Sequence, residues 1–286
     1  MNQENVFKIL NEISTQIENL KNEINSKNKY NNLIEEIKSN DDLKFLFNDN
    51  NECDNHIHNC ILNVNRYPFL NEYINLYFER NPEKINEQCK DSRYYLYTPL
   101  MIVCSLLDGI SQTTMNIILK YSPNLEIKNN NGSTALFFIC AQKNTDTINN
   151  MLSLLINKGA NIKIKNNSNL TPFNFLCRNK YANDYSFKLF LEKNIDLNYN
   201  KYGKRALLDY IRYNNDNPSF IILLNNYGFN FNNYDDSIII ETILNHKYKC
   251  LEAIIPSYIK NTEYNKRKII DLLHNLGYIN KERMNE

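Results

Sequence analysis

The segment Gly132-Ser133-Thr134-Ala135-Leu136, followed by Gly159-Ala160-Asn161, contains two short motifs that recur along the chain. The first motif occurs four times, with starts 36, 37 and 34 residues apart, as Thr98-Pro99-Leu100, Thr134-Ala135-Leu136, Thr171-Pro172-Phe173 and Arg205-Ala206-Leu207. The second follows each copy of the first, as Ser122-Pro123-Asn124, Gly159-Ala160-Asn161, Asn194-Ile195-Asp196 and Gly228-Phe229-Asn230. This period predicts stacked repeats, each too small to bury its apolar face alone.

The sequence pattern of each repeat predicts two helices separated by a polar linker. The threonine side chain can cap the first helix. Proline suits the first turn of that helix, because an N–H group there has no acceptor within the helix and its absence costs nothing. In the second repeat, the second helix has an apolar stripe of helical period, formed by Ile148, Met151, Leu152, Leu155 and Ile156. Gly159 then ends that helix with a left-handed conformation. Because Asn and Gly tolerate positive φ, the segments 129–132, 166–169 and 199–203 predict turns.

The order of Thr-Pro-Leu, two helices, Gly-Ala-Asn and an Asn/Gly turn resembles the ankyrin repeat over residues 97–234. The resemblance implies an all-α solenoid that binds proteins through its concave surface and turn tips, without catalysis. The histidine that the family places after Thr-Pro-Leu is replaced by Met101, Phe137, Asn174 and Leu208, which implies that its hydrogen bonds between turns are lost. The long linkers and Asn-rich composition are similar to ankyrin-repeat proteins of giant DNA viruses such as Mimivirus, although AT-rich protists encode such chains too.

We expect four regions along the chain. Residues 1–48 form an N-terminal helical region, and 54–92 form a degenerate repeat that caps the stack. Residues 93–234 hold about four ankyrin repeats, and 235–286 form a divergent helical cap. Terminal repeats face water on one side, so they diverge from the internal ones.

The first region contains a narrow apolar stripe, spaced 4, 3, 4, 3 and 4 residues apart, at Val6, Leu10, Ile13, Ile17, Leu20 and Ile24. This spacing is that of a coiled-coil seam, which Lys27 interrupts at the next apolar position. A second helix is expected within 32–47. Two interpretations remain open. The stripe either packs on its own chain, or residues 5–25 assemble a homo-oligomer that serves as a structural scaffold.

The composition excludes some classes of function. Lys and Arg number 33 against 32 Asp and Glu, so no broad basic field attracts nucleic acid. No apolar run is long enough to span a membrane. The chain has seven cysteines, an odd number, and no signal peptide pattern, which predicts reduced thiols and an intracellular, cytoplasmic location, in the host cytoplasm for a viral protein.

The candidate partner-binding residues lie at the turn tips, where Tyr offers a large contact area at a low cost in rotamer entropy. They are Tyr94, Tyr95, Asn130, Asn131, Asn167, Tyr199, Lys201 and Tyr202. The alternative interpretation is that these residues form only solvated turns.

The sequence predicts no metal site, cofactor site or catalytic site. Cys53, His56, His58 and Cys60 are types that bind zinc, but their single short segment would strain a tetrahedral site, so we expect no metal. Cys104, Cys140 and Cys177 each follow the marker threonine by six residues, a register that predicts small buried residues. Because phosphate-binding and hydrolase motifs are also missing from the sequence, we expect no cofactor and no enzyme activity.

Overall fold

The computed structural model describes residues 3–40, 43, 46, 56–90, 94, 96–106, 112–193, 201–229, 231, 237–259, 267, 270, 271 and 273–275. Only the backbone is described for 3–13, 201–203 and 257–259. The chain divides into two compact units, Met1–Asn129 and Asn130–Glu286, called here the N-terminal and C-terminal units. All regular secondary structure among the described residues is helical.

The N-terminal unit contains two helical hairpins and a long first helix. Its helices are α1 (Gln3–Ser39), α2 (His56–Asn63), α3 (Leu70–Arg80), a 3-10 turn (Pro82–Asn86), α4 (Pro99–Ser105) and α5 (Gln112–Lys120). Helix α2 packs on α4, and α3 packs on α5, so the first helices of the two hairpins lie together and the second helices lie together. Helix α1 packs on α3.

Between Ala135 and Ile259, the described residues of the C-terminal unit form four consecutive hairpins. They are α6 (Ala135–Cys140) with α7 (Thr145–Asn157), α8 (Pro172–Arg178) with α9 (Asp184–Leu191), α10 (Lys201–Tyr213) with α11 (Ser219–Asn226), and α12 (Ser237–Leu244) with α13 (Tyr248–Ile259). The first helices α6, α8, α10 and α12 contact one another in that order, and so do the second helices α7, α9, α11 and α13. The unit is therefore built of two helical layers, each with one helix from every repeat.

Helix boundaries follow from the residues that the sequence places there. The Thr98 hydroxyl accepts a hydrogen bond from the backbone N–H of Met101 at 3.3 Å, which caps α4. Gly159 has φ +90°, and it ends α7 in the left-handed conformation that glycine adopts without strain. Ser122 occupies the same position in the first repeat with φ +50°.

Aromatic rings fill the core between the third and fourth repeats. Phe187 and Phe220 have ring centroids 4.3 Å apart, and Tyr210 lies 4.8 Å from Phe220. The Tyr210 hydroxyl, which is buried with its ring, donates a hydrogen bond to the Asn217 carbonyl at 2.8 Å. Burial raises the pKa of Tyr210 to about 12, so the hydroxyl remains protonated and able to donate.

Side chains from one repeat bind backbone carbonyl groups that end the first helix of the preceding repeat. Asn179 Nδ2 donates to the carbonyl groups of Cys140, at 2.9 Å, and Gln142, at 2.7 Å. Asn214 Nδ2 donates to the Cys177 carbonyl at 2.6 Å. These carbonyl groups have no partner within their own helix, so the bonds satisfy buried acceptors while joining neighbouring repeats.

A cap of the last hairpin also crosses between repeats. Asp216 lies in the linker between α10 and α11, and its carboxylate accepts from the backbone N–H groups of Lys249 and Cys250, at 3.0 and 3.1 Å. Although burial acts to raise the pKa of Asp216, these hydrogen bonds lower it below its usual value. The first turn of α13 is thus capped by the preceding repeat.

Two sequence-based helix boundaries are wrong. Helix α1 runs unbroken from Gln3 to Ser39, whereas the sequence predicts one helix that carries the stripe from Val6 to Ile24 and a second helix within 32–47. No Gly or Pro interrupts this stretch, so nothing in it stops the helix. The predicted turn at 199–203 is also partly helical, because α10 begins at Lys201. Arg205 therefore lies one turn inside α10 rather than at its cap.

The bonds between repeats predict the effect of replacing Asn214. We expect Asn214→Ala to lower the free energy of unfolding by about 1–3 kcal/mol, because the buried Cys177 carbonyl loses its donor. Urea denaturation measures the change. The matched control is Asn215→Ala, since Asn215 is the exposed neighbour and its side chain makes no such bond. Equal effects of the two variants would contradict the structural role of Asn214.

Candidate functional site

In the layer formed by the first helices of the C-terminal unit, α6 and α8 each expose one aromatic ring, and Tyr213 at the end of α10 is also exposed. In α6 only Phe138 is partly exposed, and in α8 the partly exposed residues are Phe175 and Arg178. Phe138 and Phe175 each lie four residues after the marker threonine of their repeat, so they occupy equivalent positions on helices that pack together. The ring of Phe175 is held edge-to-face against that of buried Phe137, with centroids 5.2 Å apart.

The same helix position becomes acidic in the next two repeats. Asp209, which is only 4% exposed, pairs with Arg178 through Nε and Oδ2 at 3.0 Å. Glu241 pairs with Arg212 through two hydrogen bonds, of 2.6 and 2.9 Å. The hydrogen bonds from Arg212 lower the pKa of Glu241, so this pair remains ionised at neutral pH. The layer therefore changes from apolar in α6 and α8 to ionic in α10 and α12.

Neighbouring turn tips in the C-terminal unit are bonded to each other through Asn167. Its backbone N–H donates to the Asn131 carbonyl at 3.0 Å, and its Nδ2 donates to the Asn130 carbonyl at 2.9 Å. Gly132, with φ +74°, lets the two tips approach, because a Cβ there would lie 2.8 Å from the Asn167 nitrogen. Hydrogen bonds between turns are therefore present at this pair of tips, supplied by Asn167 rather than by the histidine of the family pattern.

An asparagine also takes over part of the cap at the position where the family has histidine. Asn174 Oδ1 accepts from the backbone N–H of Thr171 at 3.0 Å and from its hydroxyl at 2.9 Å. In the N-terminal unit, Gln88 Nε2 joins adjacent tips by donating to the carbonyl groups of Leu96 and Lys128, at 2.7 and 2.9 Å. Amide side chains thus supply the bonds that hold these tips in place.

The predicted turn-tip residues divide into four groups. Asn130, Asn131 and Asn167 are exposed and lie together in the C-terminal unit, while Tyr94 lies in the N-terminal unit with its ring 5.7 Å from that of Tyr97. Tyr95 and Tyr199 lie outside the described residues. Lys201 and Tyr202 begin α10, where only the backbone is described.

Sequence reasoning missed Phe138 and Phe175 as surface residues. The two faces of a helix of six or seven residues are not separated by periodicity, so the sequence does not indicate which of its apolar residues is exposed. The sequence feature that could have identified them is their position in the repeat, since both residues follow the marker threonine by four positions.

The described part of the Cys53–Cys60 segment lies in α2, where His58 and Cys60 are buried and His56 is partly exposed. Cys53 lies outside the described residues, Cys60 is fully buried, and His58 is 1% exposed. The His56 ring contacts Tyr77 edge-on at 5.1 Å. Within the part of the chain that the structure describes, no three His, Cys, Asp or Glu residues are grouped to hold a metal ion.

The buried thiols are poorly suited to nucleophilic chemistry. Cys104, Cys140 and Cys177 are fully buried, as their register predicts, and burial raises the pKa of each thiol well above its ordinary value. The thiolate is the reactive form of cysteine, so these side chains act as small apolar packing groups. Among the described residues, none of the helices is both long and apolar enough to cross a bilayer.

The fold is that of solved ankyrin-repeat structures. The ankyrin repeat domain of Bcl-3, a member of the IκB protein family, is 18% identical with a TM-score of 0.53, covering 76% of this chain and 97% of that one. A chain from the complex of the predatory endopeptidase Bd0816 of Bdellovibrio bacteriovorus with immunity protein Bd3460 is 22% identical, with a TM-score of 0.52 and coverage of 70% and 96%.

No family model and no curated protein matches the sequence. The likeness to solved structures confirms the predicted fold class, all-α with ankyrin repeats. The relation to giant DNA viruses stays a prediction, as do the region boundaries and the binding roles of individual residues.

The tip geometry predicts the effect of replacing Gly132. We expect Gly132→Ala to destabilise the protein by about 2 kcal/mol or more, because the added Cβ combines a left-handed backbone with a collision against Asn167. Gly159→Ala is the matched control: φ is +90°, but no atom lies within 4 Å of the added Cβ. Urea denaturation should show the larger loss for Gly132→Ala, and equal losses would contradict the close approach of the tips.

Burial of His58 predicts a specific dependence of stability on pH. Burial lowers the pKa of His58 to about 4, while the nearby Glu87 backbone offsets part of this and His56 adds to it. An unfolded histidine binds a proton below about pH 6.5, whereas the folded one does so only near pH 4. The free energy of unfolding should therefore contain this contribution in full above pH 6.5. It should fall by about 3 kcal/mol as the pH drops to about 4.

The variant His58→Leu isolates this contribution. Leucine does not titrate, so the difference in unfolding free energy between wild type and variant should change by that amount between neutral pH and pH about 4. His246→Asn is the control, since His246 is exposed and asparagine tolerates its φ of +54°. Parallel pH profiles for wild type and His58→Leu would show that the pKa of His58 is the same in the folded and unfolded states.

Proposed function

We propose that this chain is a non-catalytic protein-binding module whose partner contacts the first-helix layer and turn tips of the C-terminal unit. The observation that carries the proposal is the pair Phe138 and Phe175, which are partly exposed on helices whose other apolar residues are buried. Aromatic anchors near the centre of a surface contribute much of the energy in protein interfaces. Two such rings in equivalent positions suit a partner with apolar side chains along one face.

Polar groups on either side of the two rings support the same proposal. The exposed tip residues Asn130 and Asn131 lie at one end of the repeats and offer amide donors and acceptors. The pairs Arg178–Asp209 and Arg212–Glu241 continue the layer in the direction of α12. An apolar centre with a polar surround is the usual anatomy of a protein interface.

The surface is also held in place before any partner binds. The Phe175 ring rests against Phe137, and the tips are bonded through Asn167. Fixing the contacting groups in advance reduces the entropy lost on association. Rigid preorganisation therefore favours recognition of a folded or helical partner without rearrangement of the repeats.

The fold comparisons agree with a binding role. The ankyrin-repeat fold is typically non-catalytic, and one similar structure contains an endopeptidase together with an immunity protein. By analogy with such a complex, the partner of this chain is a protein. We infer that the buried thiols take no part in the function, because solvent and substrates do not reach them.

Differential capture from the native cell tests the proposal. Immobilised wild type is compared with the double variant Phe138→Ala/Phe175→Ala, and bound proteins are quantified by mass spectrometry. A specific partner should be retained by wild type and lost by the double variant, with a dissociation constant at least about tenfold higher in calorimetry. The tip variant Asn130→Ala/Asn131→Ala should weaken the same partner by a smaller factor.

Tyr185→Ala serves as the matched control for this experiment. Tyr185 is an aromatic residue of the C-terminal unit that is 50% exposed, more than Phe138 and Phe175, but it lies on the second-helix layer in α9. This control should bind as wild type does. If Tyr185→Ala lost the partner and the phenylalanine variant kept it, the first-helix layer would not be the binding surface.

A further inference from the structure

Helix α1 is anchored to its unit only by its C-terminal part among the residues with described side chains. The Tyr30 ring stacks on Tyr73 with centroids 5.5 Å apart, Lys29 forms an ion pair with Glu72, and Ile37 is fully buried. By contrast, every residue from Ser14 to Asn25 is exposed, whichever face of the helix it occupies. This stretch therefore buries no side chain against the hairpins, although from Asn19 onward it lines a groove beside the end of α3.

The exposed stretch carries large apolar residues along one line. Ile17, Leu20 and Ile24 are 48%, 56% and 58% exposed, and they continue the spacing begun by Val6, Leu10 and Ile13. An isolated helix is only marginally stable in water, and its stability normally comes from packing an apolar face. A line with an average period of 3.5 residues is the pattern that packs against another helix in a left-handed coiled coil.

We propose that α1 pairs with α1 of a second copy of this chain in an antiparallel coiled coil centred on Thr15. Leu10, Ile17 and Ile24 take the a positions of the heptad, and Val6, Ile13 and Leu20 take the d positions. In an antiparallel pair, a residues pack against d residues of the other helix. Centring at Thr15 matches Leu10 with Leu20, Ile17 with Ile13, and Ile24 with Val6, so each seam residue has an apolar partner.

The charge at Lys27 selects the antiparallel orientation. Lys27 occupies the next d position, so a parallel pair in register would place the two Lys27 side chains opposite each other. Like charges at directly facing positions are destabilising. In the antiparallel register, Lys27 instead lies beside Gln3 and Glu4 of the second copy, which gives it a polar neighbour and an opposite charge.

A groove at the end of the seam suits the first turn of the second copy. The groove has a volume of about 830 Å³ and lies between α1 and α3, where Ile24, Lys27, Glu79 and Arg80 line it. Arg80 is placed over the Tyr30 ring at 4.6 Å, and its Nε has no hydrogen-bond partner among the described residues. The antiparallel register brings Val6 of the second copy to Ile24, and Glu4 of the second copy to Lys27 and the neighbouring Arg80.

The length of the exposed stretch also agrees with this register. Gln3 of one copy would lie opposite Lys27 of the other, and from Lys29 onward α1 is occupied by contacts with α3. The self-complementary overlap therefore ends where the helix joins its own unit. This assembly is independent of the proposed binding surface, since it uses neither the first-helix layer nor the turn tips.

Sedimentation equilibrium of the full chain tests the pairing. At micromolar concentration we expect a species of twice the 33.9 kDa chain mass. Ile17→Asp should raise the dissociation constant about a hundredfold, because each copy would bury an unpaired carboxylate in the seam. The control Asn25→Asp adds the same charge outside the seam, at another exposed position of the helix, and should remain dimeric.

Charge exchange tests the orientation. Glu4→Lys and Lys27→Glu should each weaken the dimer several-fold, and the double exchange should restore it. A wild-type chain that is monomeric throughout, or a dimer that Ile17→Asp leaves intact, would overturn the proposal. A dimer strengthened by Lys27→Met and indifferent to Glu4→Lys would be parallel and would overturn the antiparallel register. Binding of a foreign helix to a monomeric chain would likewise exclude self-pairing.

Discussion

Packing between neighbouring repeats is the constraint on which the rest of this structure depends. Helix α6 has six residues and α8 has seven, lengths at which a helix has almost no stability in water. These helices persist because their apolar residues are buried against the next repeat, and because amides such as that of Asn179 bind the carbonyl groups at their ends. The exposed rings of Phe138 and Phe175 are positioned only as accurately as this packing positions their helices.

The sequence predicts the features that are encoded locally. Repeat register, the capping role of Thr98 and the left-handed residue Gly159 each follow from residue types at fixed spacing, and the structure has all three. The bonds from Asn179 and Asn214 could not be predicted, since each joins residues nearly 40 positions apart and an asparagine in a linker has many possible partners. The start of α10 at Lys201 was missed because the segment 199–203 contains Asn and Gly, residue types that favour a turn.

Part of the candidate site could be predicted, and part could not. The turn tips were expected to be exposed, and Asn130, Asn131 and Asn167 are. The hydrogen bond from the Asn167 side chain to the adjacent tip depends on the distance between two turns. A single sequence does not give that distance. The exposure of Phe138 depends in the same way on neighbouring helices, because burial in a stack is decided by the repeat on either side.

The cap that Asp216 provides has a consequence for the order in which the hairpins form. Asp216 precedes the helix it caps by more than 30 residues and belongs to the repeat before it. As the chain leaves a ribosome, the carboxylate is available before α13 has been made. Because the chain is synthesised from its N-terminus, each new hairpin can pack on a preceding repeat that has already folded. The hairpin of α12 and α13 can therefore form on the repeat that contains Asp216.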